Sequence, residues 1–119
     1  MNSKRKGNTG ENEIAKLLTA HGFNSHRNDQ RYKSGFENPD ISLPGVHIEV
    51  KRTESLRLYD ALHQAVRDAN GAAIPVVMHR RNRESWVVIM RFTDWIEMYK
   101  KTRGKEISNY AKTTTEKIK

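Results

Sequence analysis

Residues 38–51 read Asn38-Pro39-Asp40-Ile41-Ser42-Leu43-Pro44-Gly45-Val46-His47-Ile48-Glu49-Val50-Lys51, and this stretch decides the fold. Pro44-Gly45 suits the centre of a tight turn: Pro presets one φ and Gly admits a positive one. A hairpin about that turn sets Leu43 against Val46, Ser42 against His47 and Asp40 against Glu49. Val46, Ile48 and Val50 then share an apolar face, with His47, Glu49 and Lys51 on the other. The alternation fixes the register, because a slip of one residue would turn the apolar set outward. Two carboxylates opposed across strands repel and add nothing structural. A divalent cation between them reverses that sign, since hard cations take oxygen ligands. Lys51 shares their face, and a carboxylate pair beside an ammonium equips a protein for metal-assisted attack on a phosphodiester.

Outward from the hairpin, the order reads α, β, β, β, α, β, β, α. This predicts an α/β fold: a central mixed five-stranded sheet flanked by helices. Residues 1–8 read as a basic arm. Thr9 caps a first helix that ends at His21-Gly22, and its stripe is Ile14, Ala15, Leu17 and Leu18. At about 100° per residue Glu11 lies ~40° from the centre of that stripe and Glu13 ~120° away, so Glu11 leans inward and Glu13 toward solvent. Phe23 to Asn28 reads as a short strand and Asp29 to Asn38 as a loop. Leu58, Ala61, Leu62, Ala65, Val66 and Ala69 mark an amphipathic helix over 57–70, closed by Asn70-Gly71. Ile74 to Met78 and Ser85 to Met90 read as buried strands, joined by the basic loop His79 to Arg83. Thr93 caps a third helix over 94–101.

The 119 residues suit one domain. Net charge is +8, which points toward polyanions. Residues 100–119 hold seven of the 22 Lys and Arg and two of the 14 Asp and Glu, so much of the excess lies in the tail. The absence of cysteine excludes disulfides and thiolate zinc sites and fits a reducing compartment. No apolar run approaches a membrane span and no secretory signal opens the chain, so a cytoplasmic location is expected. The five histidines show no H-E-x-x-H spacing, and no phosphate-binding glycine loop or serine elbow is present.

The residues themselves predict a metal shell of Asp40, Glu49 and the Val50 carbonyl, suited to Mg²⁺ or Mn²⁺. Lys51 would hold water or offset charge on phosphorus, and Glu11 would order a second hydrated metal or the nucleophile. His47 reads as a solvated strand residue. Lys4, Arg5, Lys6, Arg27, Arg31, Lys33, Arg52 and Arg57 are candidate phosphate contacts, as is the 80–83 loop. Arg57 and Gln64, seven apart on the second helix, line one groove.

At these residues the sequence resembles the PD-(D/E)xK nuclease superfamily, and within it the archaeal-type and phage Holliday junction resolvases. The likeness rests on Lys6-Gly7-Asn8-Thr9-Gly10-Glu11, His21-Gly22-Phe23, Pro39-Asp40-Ile41, Glu49-Val50-Lys51, Gln64-Ala65, Pro75-Val76-Val77 and Trp86-Val87-Val88, over residues 5–98. Pro39 stands where many resolvases have an apolar residue. The resemblance implies a restriction-endonuclease-like fold and Mg²⁺-dependent cutting of four-way DNA junctions by a homodimer, in the cytoplasm of a cell or of a phage's host. It places Glu11, Asp40, Glu49 and Lys51 on catalytic positions, and Ser34 near that of a catalytic-loop serine. Symmetric nicking of two strands also calls for a two-fold dimer on geometric grounds. The implied organisation is a nuclease domain over 1–101 and a basic polar tail over 102–119. Two other readings stay open: a general or restriction/repair-type nuclease, and a non-catalytic nucleic-acid-binding module.

Overall fold

The structure, a computed structural model, describes residues 3–27 and 40–104, with side chains from 9–25 and 40–104. The elements are α1 (Ser3–Ala20), β1 (His26–Arg27), β2 (Ile41–Leu43), β3 (Val46–Arg52), α2 (Leu58–Ala69), β4 (Ile74–Arg80) and β5 (Val87–Ile89), followed by a helix, α3, over 92–104. Four strands, β2 to β5, make the body of a mixed sheet. The expected strand at 23–28 reduces to a two-residue pair, β1, at its edge beside β2.

The hairpin forms at Pro44-Gly45, where Gly45 has φ +87°, a value an L side chain resists. Its register is Ile41 to Ile48, Ser42 to His47 and Leu43 to Val46. β4 then runs parallel to β3 from Val46–Ile74 to Arg52–Arg80. A parallel pair needs a crossover, and α2 supplies it, so α2 runs antiparallel to β3. Asn70 ends α2 in the left-handed region, donating to the Val66 carbonyl.

One apolar layer, Ile14, Ile41, Ile48, Val50 and Val76, lies between α1 and the sheet. The other, Ala61, Ala65 and Val77, lies under α2. α1 comes very close to β3: a Cβ on Gly10 would stand 2.7 Å from the Cβ of Arg52. That contact accounts for a glycine inside a helix, where it otherwise costs about 1 kcal/mol.

Several expectations need correction. α1 begins at Ser3, so the arm expected over 1–8 is helical from its third residue. Gly7 and Gly10 depress helix propensity locally, yet packing on the sheet overrides propensity. The body of β4 reaches Arg80, which shortens the basic loop. β5 is not buried: it ends the sheet, and Val87 and Val88 are exposed. α3 starts at 92, where the Trp95 amide reaches the Arg91 carbonyl and Arg91 pairs with Asp94 at 2.7 Å. It also runs past the expected boundary at 101. Among the described residues no helix is long and apolar enough to cross a membrane.

Candidate active site

β3 carries the candidate site on the face turned toward α2. Glu49 is 3% exposed there, and Lys51, two residues on, is half-buried on the same face. Asp40 stands one residue before β2, just beyond the last paired position. Its amide donates to the Ile48 carbonyl, 2.8 Å, and its Oδ2 accepts the Val50 N–H, 2.8 Å. Asp40 thus reaches β3 by a side-chain link to the residue after Glu49, one position beyond the paired register.

α2 supplies the opposite wall. Four helical residues rise about 6 Å, and two strand residues advance about 6.6 Å. An antiparallel helix on β3 therefore meets it in matched steps. Lys51 Nζ donates to Gln64 Oε1, 3.2 Å. One turn on, Asp68 comes opposite Glu49 and His47. Ligating atoms of His47, Glu49 and Asp68 all lie within 4.8 Å of one another. His47 Nε2 and Glu49 Oε1 are 2.9 Å apart. His47 is 4% exposed, which overturns the expected solvated histidine. The odd-numbered face of β3 is buried because α2 covers it.

Glu11, on α1, is buried as expected. Glu13 is only half-exposed and accepts from Trp86 Nε1 at 3.4 Å and pairs with Arg80 at 3.4 Å, so it docks α1 on the β4–β5 end instead of facing free solvent. Asp40 and Glu11 are not members of the His47–Glu49–Asp68 trio.

Among the candidate phosphate contacts, Arg52 is reassigned. Its guanidinium binds Glu54 at 3.2 Å, the Arg80 carbonyl at 3.3 Å and Asn82 at 2.6 Å, and its side chain is 9% exposed. It ties the β4–β5 loop to β3. Arg57, just before α2, keeps a side chain 90% exposed near Asp60. Lys51, Arg57, Gln64 and Arg67 line one polar cleft of about 340 Å³, which brings Arg57 and Gln64 together as expected and adds Arg67. Lys4, Arg5 and Lys6 lie on the first turns of α1 and Arg27 on β1, with side chains outside the described set. Arg31, Lys33 and Ser34 lie outside the described residues.

Sequence reasoning missed His47 and Asp68. The signal for Asp68 was its place four residues after Gln64, matched to Glu49 two residues before Lys51. Reading it requires knowing that α2 lies antiparallel on β3.

A family model described as "Phage putative PDDEXK endonuclease" matches residues 2–119. The chain belongs to this PD-(D/E)xK endonuclease family. Nucleases of this family use divalent metals, and among the described residues His47, Glu49 and Asp68 form a group that could hold such an ion. The Archaeoglobus fulgidus Hjc, a Holliday junction resolvase from an archaeal hyperthermophile, has a similar structure. The TM-score is 0.55 with 28% identity, over 71% of this chain and 76% of that one. No curated protein matches the chain. In this PD-(D/E)xK endonuclease the signature letters fall on Pro39-Asp40 and Glu49-Val50-Lys51.

Proposed function

We propose that this chain is a divalent-metal-dependent endonuclease that cuts four-way DNA junctions as a homodimer, with Mg²⁺ or Mn²⁺ as its cofactor. One observation carries the reading. A buried Glu49 precedes Val50, whose amide binds the Asp40 carboxylate, and Lys51 follows on the Glu49 face. Burying carboxylates is costly without partners; Asp40 and Glu49 each have one in the protein, and a divalent cation would add a stronger one. The likeness to Hjc supports a branched substrate, and the net charge of +8 supports a nucleic-acid partner.

The ligands would be Asp40, Glu49, the Val50 carbonyl and Glu11, a hard oxygen set. When bound, such an ion polarises the scissile phosphate and acidifies a bound water. Lys51, its ammonium held by Gln64, offsets the negative charge that grows on the phosphate oxygens. Glu11 orders the attacking water. Arg57 and Arg67 hold flanking phosphates across the cleft. Lys4, Arg5, Lys6, Arg27, Arg31, Lys33 and Ser34 extend the DNA contact. The setting is a reducing cytoplasm, of a cell or of a phage's host.

Two nicks require two sites related by a two-fold axis. Support for a paired copy comes from exposed apolar surface. Phe92, Trp95 and Tyr99 form an aromatic row on α3, with centroids 6.4 and 5.2 Å apart, and Val88 at the sheet edge is 57% exposed. Apolar patches of this kind mark interfaces.

The test is incubation of the pure protein with four-way junctions and matched duplex in Mg²⁺ or Mn²⁺. Paired symmetric nicks in the junction alone support the proposal. Equal cutting of duplex moves the chain to a general or restriction/repair-type nuclease. Absence of cutting with every divalent ion leaves a nucleic-acid-binding module. Sedimentation tests the dimer: Trp95→Glu is expected to yield monomers, and a monomeric wild type refutes the pairing.

A further inference from the structure

We propose that His47 is a positioning residue for Glu49, an imidazole whose N–H holds this ligand in one orientation. The inference rests on the functional reading above, because it gives Glu49 its role as a metal ligand.

The starting point is a buried imidazole that packing does not require. β3 alternates Val46, Ile48 and Val50 into the α1 layer. At position 47, on the other face, a β-branched apolar side chain would pack under α2 with no polar group to satisfy. Instead the position holds His47, 4% exposed, 2.9 Å from Glu49 Oε1. A carboxylate can only accept, so Nε2 of the ring is the donor. Residues 47 and 49 are next neighbours on one strand face, so the bond spans the natural side-chain spacing without bending the backbone. It fixes the rotation of the Glu49 carboxylate, which an unbraced glutamate would leave to three side-chain torsions.

Asp68 faces the pair from a second element, but as another acceptor it cannot bond the Glu49 carboxylate, so the brace is His47. Asp68 is half-buried on the last turn of α2, and its carboxylate lies within 4.8 Å of the ligating atoms of both His47 and Glu49. α2 is anchored independently by Ala61 and Ala65 on Val77 and by the Gln64–Lys51 bond one turn earlier. β3 thus braces its own carboxylate, with α2 fixed close above it. Ligating groups braced in this way lose about 10–100-fold in metal affinity or activity when the brace is removed.

Direct ligation by His47 is the rival, since His47, Glu49 and Asp68 could together hold an ion; against it, Nε2 is already engaged with Glu49 at 2.9 Å. The two also differ in what they do to the ion. A brace tunes affinity through Glu49 and leaves no nitrogen on the metal. A ligand would put imidazole nitrogen in the shell and favour softer ions over Mg²⁺.

The experiment is Mn²⁺ binding to the full chain without DNA, read from the free-ion signal in electron paramagnetic resonance. Junction cleavage is titrated with Mn²⁺ in parallel, and thermal melts check folding. His47→Ala is expected to weaken Mn²⁺ binding about 10- to 100-fold, and to raise the Mn²⁺ needed for half-maximal cleavage by a similar factor. His47→Gln, whose side-chain amide can also donate to Glu49, is expected to restore most of the affinity. A general loss of packing would not be rescued selectively in this way. Unchanged Mn²⁺ affinity in folded His47→Ala overturns the proposal, and so does imidazole nitrogen coupling to bound Mn²⁺ in pulsed spectra. Should His47→Ala fail to fold, His47→Leu, which fills the space without a donor, decides in its place. A wild-type protein that binds no Mn²⁺ refutes the functional reading as well. A wild type that binds it, with unchanged variants, refutes the positioning role only.

Discussion

The two faces of β3 are buried alike and built from opposite chemistry. Toward α1 the strand presents Ile48 and Val50, packed with Ile14, Ile41 and Val76. Toward α2 it presents His47, Glu49 and Lys51, answered by Gln64 and Asp68. The helices differ to match. α1 brings branched side chains into the layer, whereas α2 meets the sheet with Ala61 and Ala65. Small residues let α2 come close and leave its polar side chains to reach the strand. The comparison teaches that one alternating strand serves two tasks: the α1 face supplies the free energy of folding, and the α2 face carries groups whose burial works against it.

The largest expected effect breaks the α2 face without disturbing the other. Asp40→Asn and Glu49→Gln each keep size and one acceptor oxygen but turn the other into a donor and remove a negative charge. Each should slow junction cleavage by roughly 10²–10³-fold or more, the loss seen when one preorganised electrostatic group is removed. Junction binding in Ca²⁺ should persist or strengthen. If either variant cleaves at the wild-type rate, the metal assignment is wrong.

Ile48→Ala makes the reciprocal cut. Ile48 is fully buried, and its truncation should cost about 2–5 kcal/mol of stability in urea unfolding. The fraction still folded should cleave normally. A variant that loses catalysis while keeping its stability would show that the two faces are not separable.

Gly10→Ala probes the close approach that places α1, and with it Glu11. Overpacking costs about 1–3 kcal/mol, and alanine returns up to ~1 kcal/mol of helix propensity. The net should be a modest loss, because the Arg52 Cβ at 2.7 Å belongs to a side chain already held at three points. A stabilised variant would mean that β3 yields to α1 easily.

How far this division was legible in the sequence varies by residue. The turn at Pro44-Gly45, the hairpin register from Ile41 to Leu43 and the inward lean of Glu11 all follow from local rules of period and φ, and all appear in the structure. The burial of His47 does not follow locally. A histidine alternating with glutamate and lysine has the pattern of a solvated face, and only the return of α2 across β3 covers it. Asp68 was hidden for the same reason, since its partners are about twenty residues earlier in the chain. β5 failed in the opposite direction: Val87, Val88 and Ile89 have the composition of a central strand, but the sheet ends there and leaves Val88 exposed. Arg52 looked like a phosphate contact because its acceptors, Asn82 and the Arg80 carbonyl, lie some thirty residues away.

Gln64→Ala should have the smallest effect, and it sharpens the comparison most finely. The Lys51–Gln64 bond is the one link in which α2 holds a proposed catalytic cation directly. It is long, at 3.2 Å, and only partly buried, so its loss should cost about 1 kcal/mol, in the range of a single net hydrogen bond. That corresponds to a roughly five-fold slower cleavage at saturating metal and DNA. Stability should barely move, because Gln64 lies beside the alanine contacts and not within them. Gln64→Glu gives the opposite sign of control. A carboxylate at that position would pair with the Lys51 ammonium and draw it from the phosphate, so cleavage should fall further than in Gln64→Ala even though the contact to Lys51 is retained. Equal rates in the two variants would mean that Gln64 only fills space, and that Lys51 is placed by β3 alone.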